Sequence, residues 1–586
     1  MVESMETSTT THQNPSNIDN SKIPISIHEK PSTDTETPEP KIEFKPTTAF
    51  ILAFSSICLI TLAAALDATS LSIALPIITS KLGGTAIEAF WSGTSFLLTS
   101  AVSQPVIAGL SHVFGRKELL LGSALFFGIG SILAAVADSF TLMFVDIWYL
   151  GSVQGIGGGG ILSLGEILVT DLVPLTVRGA YFGYMGSIWA FGSVGGPLMG
   201  GAFAEDVSWR WIFWINLPII VSGAIAIILF LKIRRTPGNL LAKVKRFDWF
   251  GSVIFISSTI SFLIPITWGG VMYAWDSWRV LFPLFTGVAG LVGFSFYEKR
   301  LSDRAFDSEG DLLSSDNVEP IIRFSIFSTW STIFIYFETM VHGMVLWSLL
   351  YYLPLYYEAV QGYTPIISGV AVLPETSFVA PMSVIVGVLV AKTGRYRWAL
   401  WTGWTLATFG AGLLYLLKPS TSIVQWIFLN VPISIGTGML FPAMALGNQA
   451  ASRPQDAAHA AAFYAFDRVF GQAIGVAIGG VVFQNRIREN LLSYPLLKDM
   501  ATEYSKDATA LVKLIKDMEE GLEKSQLKEA YADSLKMVWL VMCALCGAAL
   551  VSSLFVKGYS LEVEHKSLQG LQEEGKRGGV ESAEKN

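Results

Sequence analysis

Long apolar runs, separated by short polar segments, extend from residue 48 to residue 556. A helix rises about 1.5 Å per residue, so runs of this length can cross about 30 Å of hydrocarbon. The pattern therefore predicts about fourteen transmembrane helices. We expect them at 48–72, 90–110, 118–137, 141–164, 178–204, 210–232, 248–268, 279–297, 327–353, 366–391, 397–417, 423–446, 462–483 and 536–556.

A weak internal repeat divides the predicted helices into two halves. Gly115-Arg116 follows the second span and Gly394-Arg395 follows the tenth, so each dipeptide closes the second helix of its half. We therefore predict an all-α membrane protein of two six-helix bundles plus two linking helices. The expected parts are an N-terminal six-helix bundle at 46–233, a linker with two extra transmembrane helices at 234–326, and a C-terminal six-helix bundle at 327–557.

The polar segments at the two ends differ in composition from the membrane part. Residues 1–45 are rich in Ser, Thr, Pro, Glu and Lys, and residues 558–586 are charged and interrupted by glycine, so both are predicted to be disordered cytoplasmic tails. The longest internal polar segment, 484–535, is expected to be an outer loop. Its Leu-rich stretch from Ala508 to Leu527 has the pattern of an amphipathic helix on the membrane surface.

Lys and Arg concentrate in alternate loops, as Arg116, Lys117 and Arg178 illustrate. The opposite loops, apart from 484–535, carry few basic residues, of which Arg210 is one. Short cytoplasmic loops carry an excess of positive charge, so both termini are predicted to face the cytoplasm. The expected location is the plasma membrane, with the vacuolar or a vesicle membrane as alternatives.

Composition excludes several classes of function. The chain is 52% hydrophobic and 15% charged, whereas soluble domains carry about 25% charged residues. A net charge of -7 gives no case for a nucleic-acid partner. The sequence has no nucleophile–base constellation and no metal-ligand spacing, so we predict neither an enzyme nor a metal site, and no cofactor. The expected partners are the lipid bilayer and a small-molecule substrate, and the expected state is a monomer.

The fifth predicted span carries a glycine motif. Residues four positions apart lie on one helix face, so its glycines form a bare stripe that lets another helix approach closely, and its proline permits a bend. The spacing G-x8-G-x3-G-P-x2-G-G is formed by Gly183, Gly192, Gly196, Pro197, Gly200 and Gly201. This motif resembles the antiporter motif of the major facilitator superfamily, in which this helix is thought to seal one half against the other. Segments 208–218, 351–356 and 470–479 also resemble that family, most closely its fourteen-span drug:proton antiporters of fungal type.

The resemblance implies alternating-access export of a hydrophobic or amphipathic small molecule, such as a secondary metabolite, toxin or drug, driven by inward proton flow. One departure favours a facilitator or an importer, for example of a siderophore: Gly151 stands where the family has an arginine that is implicated in proton coupling. A transporter-like membrane sensor is a third hypothesis. The short, low-complexity tails disfavour it, because a sensor should carry a large folded signalling domain.

The first cytoplasmic hairpin resembles a degraded form of the superfamily's G-x-L-x-D-R-x-G-R-R signature. His112 occupies the aspartate position, and the next cytoplasmic loop keeps the family's charged pair. The resemblance therefore implies a cytoplasmic gate formed by His112, Gly115, Arg116, Lys117, Asp171 and Arg178.

Ionisable residues inside the apolar runs are functional candidates, because charges in hydrocarbon are costly. Asp67, in the first span, could take and release a proton, or it could be held by Thr69 or Ser70 near the outer water. Asp146, in the fourth span, could replace charge chemistry of the missing arginine or lie in an outer vestibule.

The second half contains further candidates. Glu338 and His342 are four residues apart and share a helix face, where they could bind substrate, relay a proton or simply satisfy each other. Glu375, in the tenth span, has the same alternatives. Glu166 is expected at the membrane interface. Asp467 and Arg468, near the start of the thirteenth span, are weaker candidates for the cytoplasmic gate.

Overall fold

The computed structural model describes residues 44–82, 86–138, 151–234, 236, 238–269, 273–306, 317–505, 508–562 and 569–570. The described residues from Pro46 onward form one compact unit, and only Phe44 and Lys45 of the remaining unit are described. Within this part of the chain the fold is helical, with two isolated β-bridges and no sheet.

The long helices are numbered α1 to α14 in chain order. They are Thr48–Leu82 (α1), Ala86–Phe114 (α2), Arg116–Val136 (α3), Gly151–Leu172 (α4), Leu175–Ala202 (α5), Asn216–Phe230 (α6), Trp249–Trp268 (α7), Trp278–Ala305 (α8), Trp330–Ala359 (α9), Val379–Thr393 (α10), Arg397–Leu413 (α11), Ile423–Ala451 (α12), Ala457–Ser493 (α13) and Leu522–Ser553 (α14). Short helical segments at Trp211–Trp214, Pro365–Ala371 and Leu373–Thr376 lead into α6 and α10.

Twelve helical segments of the described chain are long and apolar enough to cross a membrane. They include all the long helices except α5, which is rich in glycine, and α11, which has 17 residues. The prediction of an all-α membrane protein is therefore confirmed. The two long helices that are not among these twelve segments still pack against other long helices, α5 against α1 and α11 against α12.

The long helices pack in a pattern that places α5 at a central position. Helix α1 contacts α5 and α6, while α2 and α3 both contact α4. In the second half, α9 contacts α13 and α14, and α10 and α11 contact α12. The first set of helices (α1–α6) and the second set (α9–α14) meet where α5 packs on α10 and α12, and where α13 packs on α2 and α4. The added pair α7 and α8 pack on each other.

Glycines allow α5 to lie close to two neighbours at once. On one face, a Cβ at Gly200 would lie 2.3 Å from the carbonyl oxygen of Ser70 in α1. On another face, a Cβ at Gly183 would lie 2.8 Å from the carbonyl oxygen of Ser383 in α10. Such separations leave no room for side chains, so the glycines of α5 set how near α1 comes on one face and α10 on the other.

The segment 484–535 is largely helical in its described part. Helix α13 continues to Ser493, α14 begins at Leu522, and a short helix spans Ala508–Asp517. This short helix ends before Leu527, so it is shorter than the predicted amphipathic stretch. Its side chains Leu511, Val512 and Ile515 are buried, and the Lys516 ammonium lies 2.9 Å from the Glu358 carboxylate of α9. Its apolar face therefore packs against the protein.

Candidate functional site

A narrow, mainly apolar cavity lies where α5 meets α9, α10, α12 and α13. Its wall contains one charged side chain, Arg468, and one amide side chain, Gln472. The lining residues are Gly186, Trp189, Ala190, Ser193, Leu346, Leu350, Thr376, Val379, Phe441, Arg468 and Gln472. Apolar walls with a few fixed polar groups are typical of small-molecule sites.

Arg468 links the cavity to α4. Its side chain is 2% exposed, and its Nη2 atom lies 3.6 Å from Oε1 of Glu166, which is 3% exposed. The guanidinium also lies over the rings of Phe441 and Tyr464, with 4.5 and 5.2 Å to the ring centroids. Sequence reasoning placed Glu166 at the interface and missed this pair. The available signal was an acid and a base that each interrupt an apolar run.

Asp67 is the acceptor of a buried hydrogen-bond network inside the first set of helices. Its Oδ1 atom accepts hydrogen bonds from Gln154 at 3.0 Å and from Asn216 at 2.6 Å. Both amides also reach the hydroxyl of Ser131, at 3.1 and 3.3 Å. The partners come from α3, α4 and α6, so one acid in α1 connects four helices.

The residues proposed as local partners of Asp67 have other bonds. The Thr69 hydroxyl donates to the carbonyl oxygens of Ala65 and Gly192, at 2.8 and 2.9 Å. The Ser70 hydroxyl donates to the carbonyl oxygen of Leu66 at 2.6 Å. Hydroxyls of this kind satisfy helix carbonyls, and here one of them also ties α1 to α5.

Glu338 and His342 are both buried, but they bond to different neighbours. The Glu338 carboxylate accepts from the indole of Trp404 at 3.1 Å and from the Ser552 hydroxyl at 3.3 Å, which lie in α11 and α14. The Nε2 atom of His342 lies 3.1 Å from the carbonyl oxygen of Thr437 in α12. The two side chains thus reach different helices.

Glu375 is fully buried beside the cavity, where its neighbour Thr376 forms part of the wall. Neither carboxylate oxygen of Glu375 has a hydrogen-bond partner among the described residues. An unpartnered carboxylate is expensive to bury, so such a group is poised to hold a proton or to meet a ligand. Asp146, the remaining candidate in the predicted pathway, lies outside the described residues.

The loops after α2 and α4 meet at one end of the molecule, called here the Arg116 end. The Nε atom of Arg116 donates to Asp171 at 2.8 Å, and its Nη1 atom donates to Ser111 at 2.9 Å. Gly115 precedes it with φ 121°, a conformation that favours glycine. Lys117 donates to the carbonyl oxygens of Ile228 and Leu231, which end α6.

Three side-chain contacts close the Arg116 end. Arg178 donates to the carbonyl oxygens of Val173 and Thr170, both at 2.8 Å, and to the amide oxygen of Gln449 in α12. The rings of His112 in α2 and His459 in α13 stack with 3.9 Å between centroids.

The third contact is the ion pair between Arg323 and Asp456, at 2.6 Å. Burial lowers the pKa of the Arg323 guanidinium, and the Asp456 carboxylate opposes this shift.

The family model of the Major Facilitator Superfamily matches residues 57–263 and 249–476 of the chain. With the helical architecture and the central cavity, this match shows that the chain belongs to the major facilitator superfamily. The chain is therefore a multi-pass membrane transporter and not an enzyme, as the sequence predicts.

Fungal relatives support the assignment. The chain is 52% identical over 547 residues to the MFS transporter L2 of Phoma sp., covering 93% of this chain and 88% of that protein. It is 35% identical over 528 residues to the MFS-type efflux pump LUC4 of Fusarium sp., covering 89% and 90%. Among solved structures, the proton:xylose symporter XylE aligns with a TM-score of 0.53 and 13% identity, covering 88% of this chain and 98% of that chain. At this identity the structural likeness concerns the fold.

Proposed function

We propose that the chain is a proton-coupled efflux pump that exports a hydrophobic or amphipathic small molecule by alternating access. The observation that carries the proposal is the apolar cavity at the meeting of α5 with the second set of helices, beside buried acids. Efflux pumps among the relatives, such as LUC4, favour outward transport. Secondary metabolites, toxins and drugs are the expected substrates.

The proposed arrangement has fourteen spans, α1 to α14. Helices α1–α6 and α9–α14 form the two six-helix bundles, and α7 and α8 form the linking pair. The Arg116 end faces the cytoplasm of a plasma-membrane protein, so its contacts close the cavity from that side. Alternating access then requires the His112–His459 stack and the Arg178–Gln449 hydrogen bond to separate.

Labelling of single cysteines tests this orientation. Arg395 and Lys418 are exposed in successive loops, so they should lie on opposite sides of the membrane. In a background without the native cysteines, Lys418→Cys is expected to react with a membrane-impermeant maleimide on intact cells. Arg395→Cys is expected to react only after permeabilisation. The reverse pattern would place the termini outside.

Asp67, Glu338 and Glu375 are the proposed proton sites. His342, whose Nε2 atom lies 3.1 Å from the carbonyl oxygen of Thr437, is a proposed part of the same pathway. Asp67 connects α1 to the helix that carries Gly151, so its protonation can change how these helices pack. This route replaces the role that the family gives to the missing arginine. The gate keeps Gly115, Arg116, Lys117, Asp171 and Arg178, with His112 in a stacking role.

Export is tested by comparing metabolites of medium and cells that contain or lack the protein. At least one amphipathic compound is expected to shift from cells to medium. That compound is then loaded into vesicles, and collapse of the pH gradient is expected to slow its transport. Unchanged transport would refute proton coupling and favour a facilitator. Accumulation of the compound inside cells that contain the protein would instead favour an importer.

A further inference from the structure

We propose that the transported molecule is an amphipathic organic anion, with a carboxylate that Arg468 and Gln472 bind and an apolar body that contacts the apolar cavity wall. In this scheme the Glu166 carboxylate pairs with Arg468 when the substrate is absent. The inference rests on the proposed transport function and names the chemical class of its substrate.

Arg468 has unused hydrogen-bonding capacity. A guanidinium carries five N–H donors, but Arg468 makes one hydrogen bond in the described part of the chain, to the Tyr464 hydroxyl at 3.5 Å. The Glu166 oxygen at 3.6 Å is beyond ordinary hydrogen-bonding distance, so that ion pair is loose. The remaining donors can therefore serve a ligand in the cavity that Arg468 lines.

The buried charge of Arg468 also favours a carboxylate ligand. Burying an arginine is costly unless its partner offers good geometry and satisfies its donors. A bidentate carboxylate supplies both, because its two oxygens match the planar fork of the guanidinium. Gln472 lies one helical turn beyond Arg468, also in the cavity wall. It can add a donor to the same anion.

The rest of the cavity wall is mainly apolar. It includes Trp189, Leu346, Leu350 and Phe441. Such a wall suits an aromatic or aliphatic body, and Glu166 repels a second negative charge nearby. A molecule with one carboxylate on an apolar body is therefore complementary to both parts of the site.

The test measures binding of pyrenebutyrate and its uncharged amide, pyrenebutanamide, to the purified full-length protein in lipid nanodiscs. We expect pyrenebutyrate to bind more tightly by about tenfold or more, since a buried charged partner is worth that much. Arg468→Gln is expected to remove this preference, and Arg468→Lys to keep part of it. The exposed Arg395→Gln serves as the matched control and should bind like the wild type.

Binding of the two probes to Glu166→Gln protein distinguishes anion binding at Arg468 from a purely structural role of the Glu166–Arg468 pair. Removing the competing carboxylate is expected to tighten pyrenebutyrate binding several-fold and to leave pyrenebutanamide binding unchanged. Equal binding of both probes, no binding of pyrenebutyrate, or weaker pyrenebutyrate binding by folded Glu166→Gln protein would overturn the inference. If the exported metabolites are uncharged, the anion inference alone fails, whereas absence of any export refutes the proposed transport function.

Discussion

Replacing Asp67 with asparagine is expected to reduce proton-driven export to the level of membranes that lack the protein. Asparagine keeps an oxygen that can accept from Gln154 and Asn216, so the network around α1 can persist. It cannot take up or release a proton. The variant should therefore still exchange labelled for unlabelled substrate across the membrane, but a pH gradient should no longer drive net export.

The measurement compares gradient-driven efflux with exchange in vesicles at equal amounts of folded protein. Asp138→Asn is the matched control, because Asp138 pairs with Arg210 at 2.8 Å and its side chain is 83% exposed. An exposed pair of this kind contributes little, so the control should transport like the wild type. If Asp67→Asn keeps its gradient dependence, Asp67 is not a proton site, and Glu375 becomes the first alternative.

The sequence was sufficient to single out Asp67 but not to find its surroundings. An acid within an apolar run is visible in any hydropathy pattern. Its partners Gln154, Asn216 and Ser131 lie on three other helices, and their approach depends on how those helices cross. Sequence reasoning therefore offered the nearby Thr69 and Ser70, although both hydroxyls donate to helix carbonyls. Without knowledge of how the helices cross, only partners close to Asp67 in the sequence could be predicted.

The same limit explains the Glu166–Arg468 pair. Each residue was considered separately, and the relation between them exists only because α13 packs on α4. Periodicity correctly put Glu338 and His342 near one helix face. That face is broad enough to meet several neighbours, so Glu338 bonds to α11 and α14 while His342 contacts α12.

The overall fold could be predicted more fully than the site. The bilayer determines how long each apolar run must be and where Lys and Arg lie around it, and it does so for each segment separately. The predicted spans overlap the long helices over the described chain, although α1 continues to Leu82, beyond the predicted 48–72. Helices α13 and α14 also extend beyond the predicted 462–483 and 536–556. Those extensions continue into a polar region, where hydropathy does not mark the end of a helix.

Gly200→Leu is expected to prevent accumulation of folded transporter, which is the largest stability effect we foresee. A Cβ at this position would lie 2.3 Å from the carbonyl oxygen of Ser70 and 3.1 Å from its Cα atom. These are backbone atoms of α1, so no side chain can move aside, and α1 must separate from α5. Overpacking of a core commonly costs about 1–3 kcal/mol, and a whole isobutyl group against backbone should reach or exceed the upper end.

Gly122→Leu is the matched control, because a Cβ at Gly122 in α3 meets nothing within 4 Å. The comparison uses the yield of monodisperse protein in detergent and its thermal unfolding midpoint. The control should keep both close to the wild-type values, since a side chain at Gly122 displaces no neighbouring atom within 4 Å. Equal behaviour of the two variants would mean that α1 and α5 tolerate separation, and the glycine stripe would then lose its role in setting their distance.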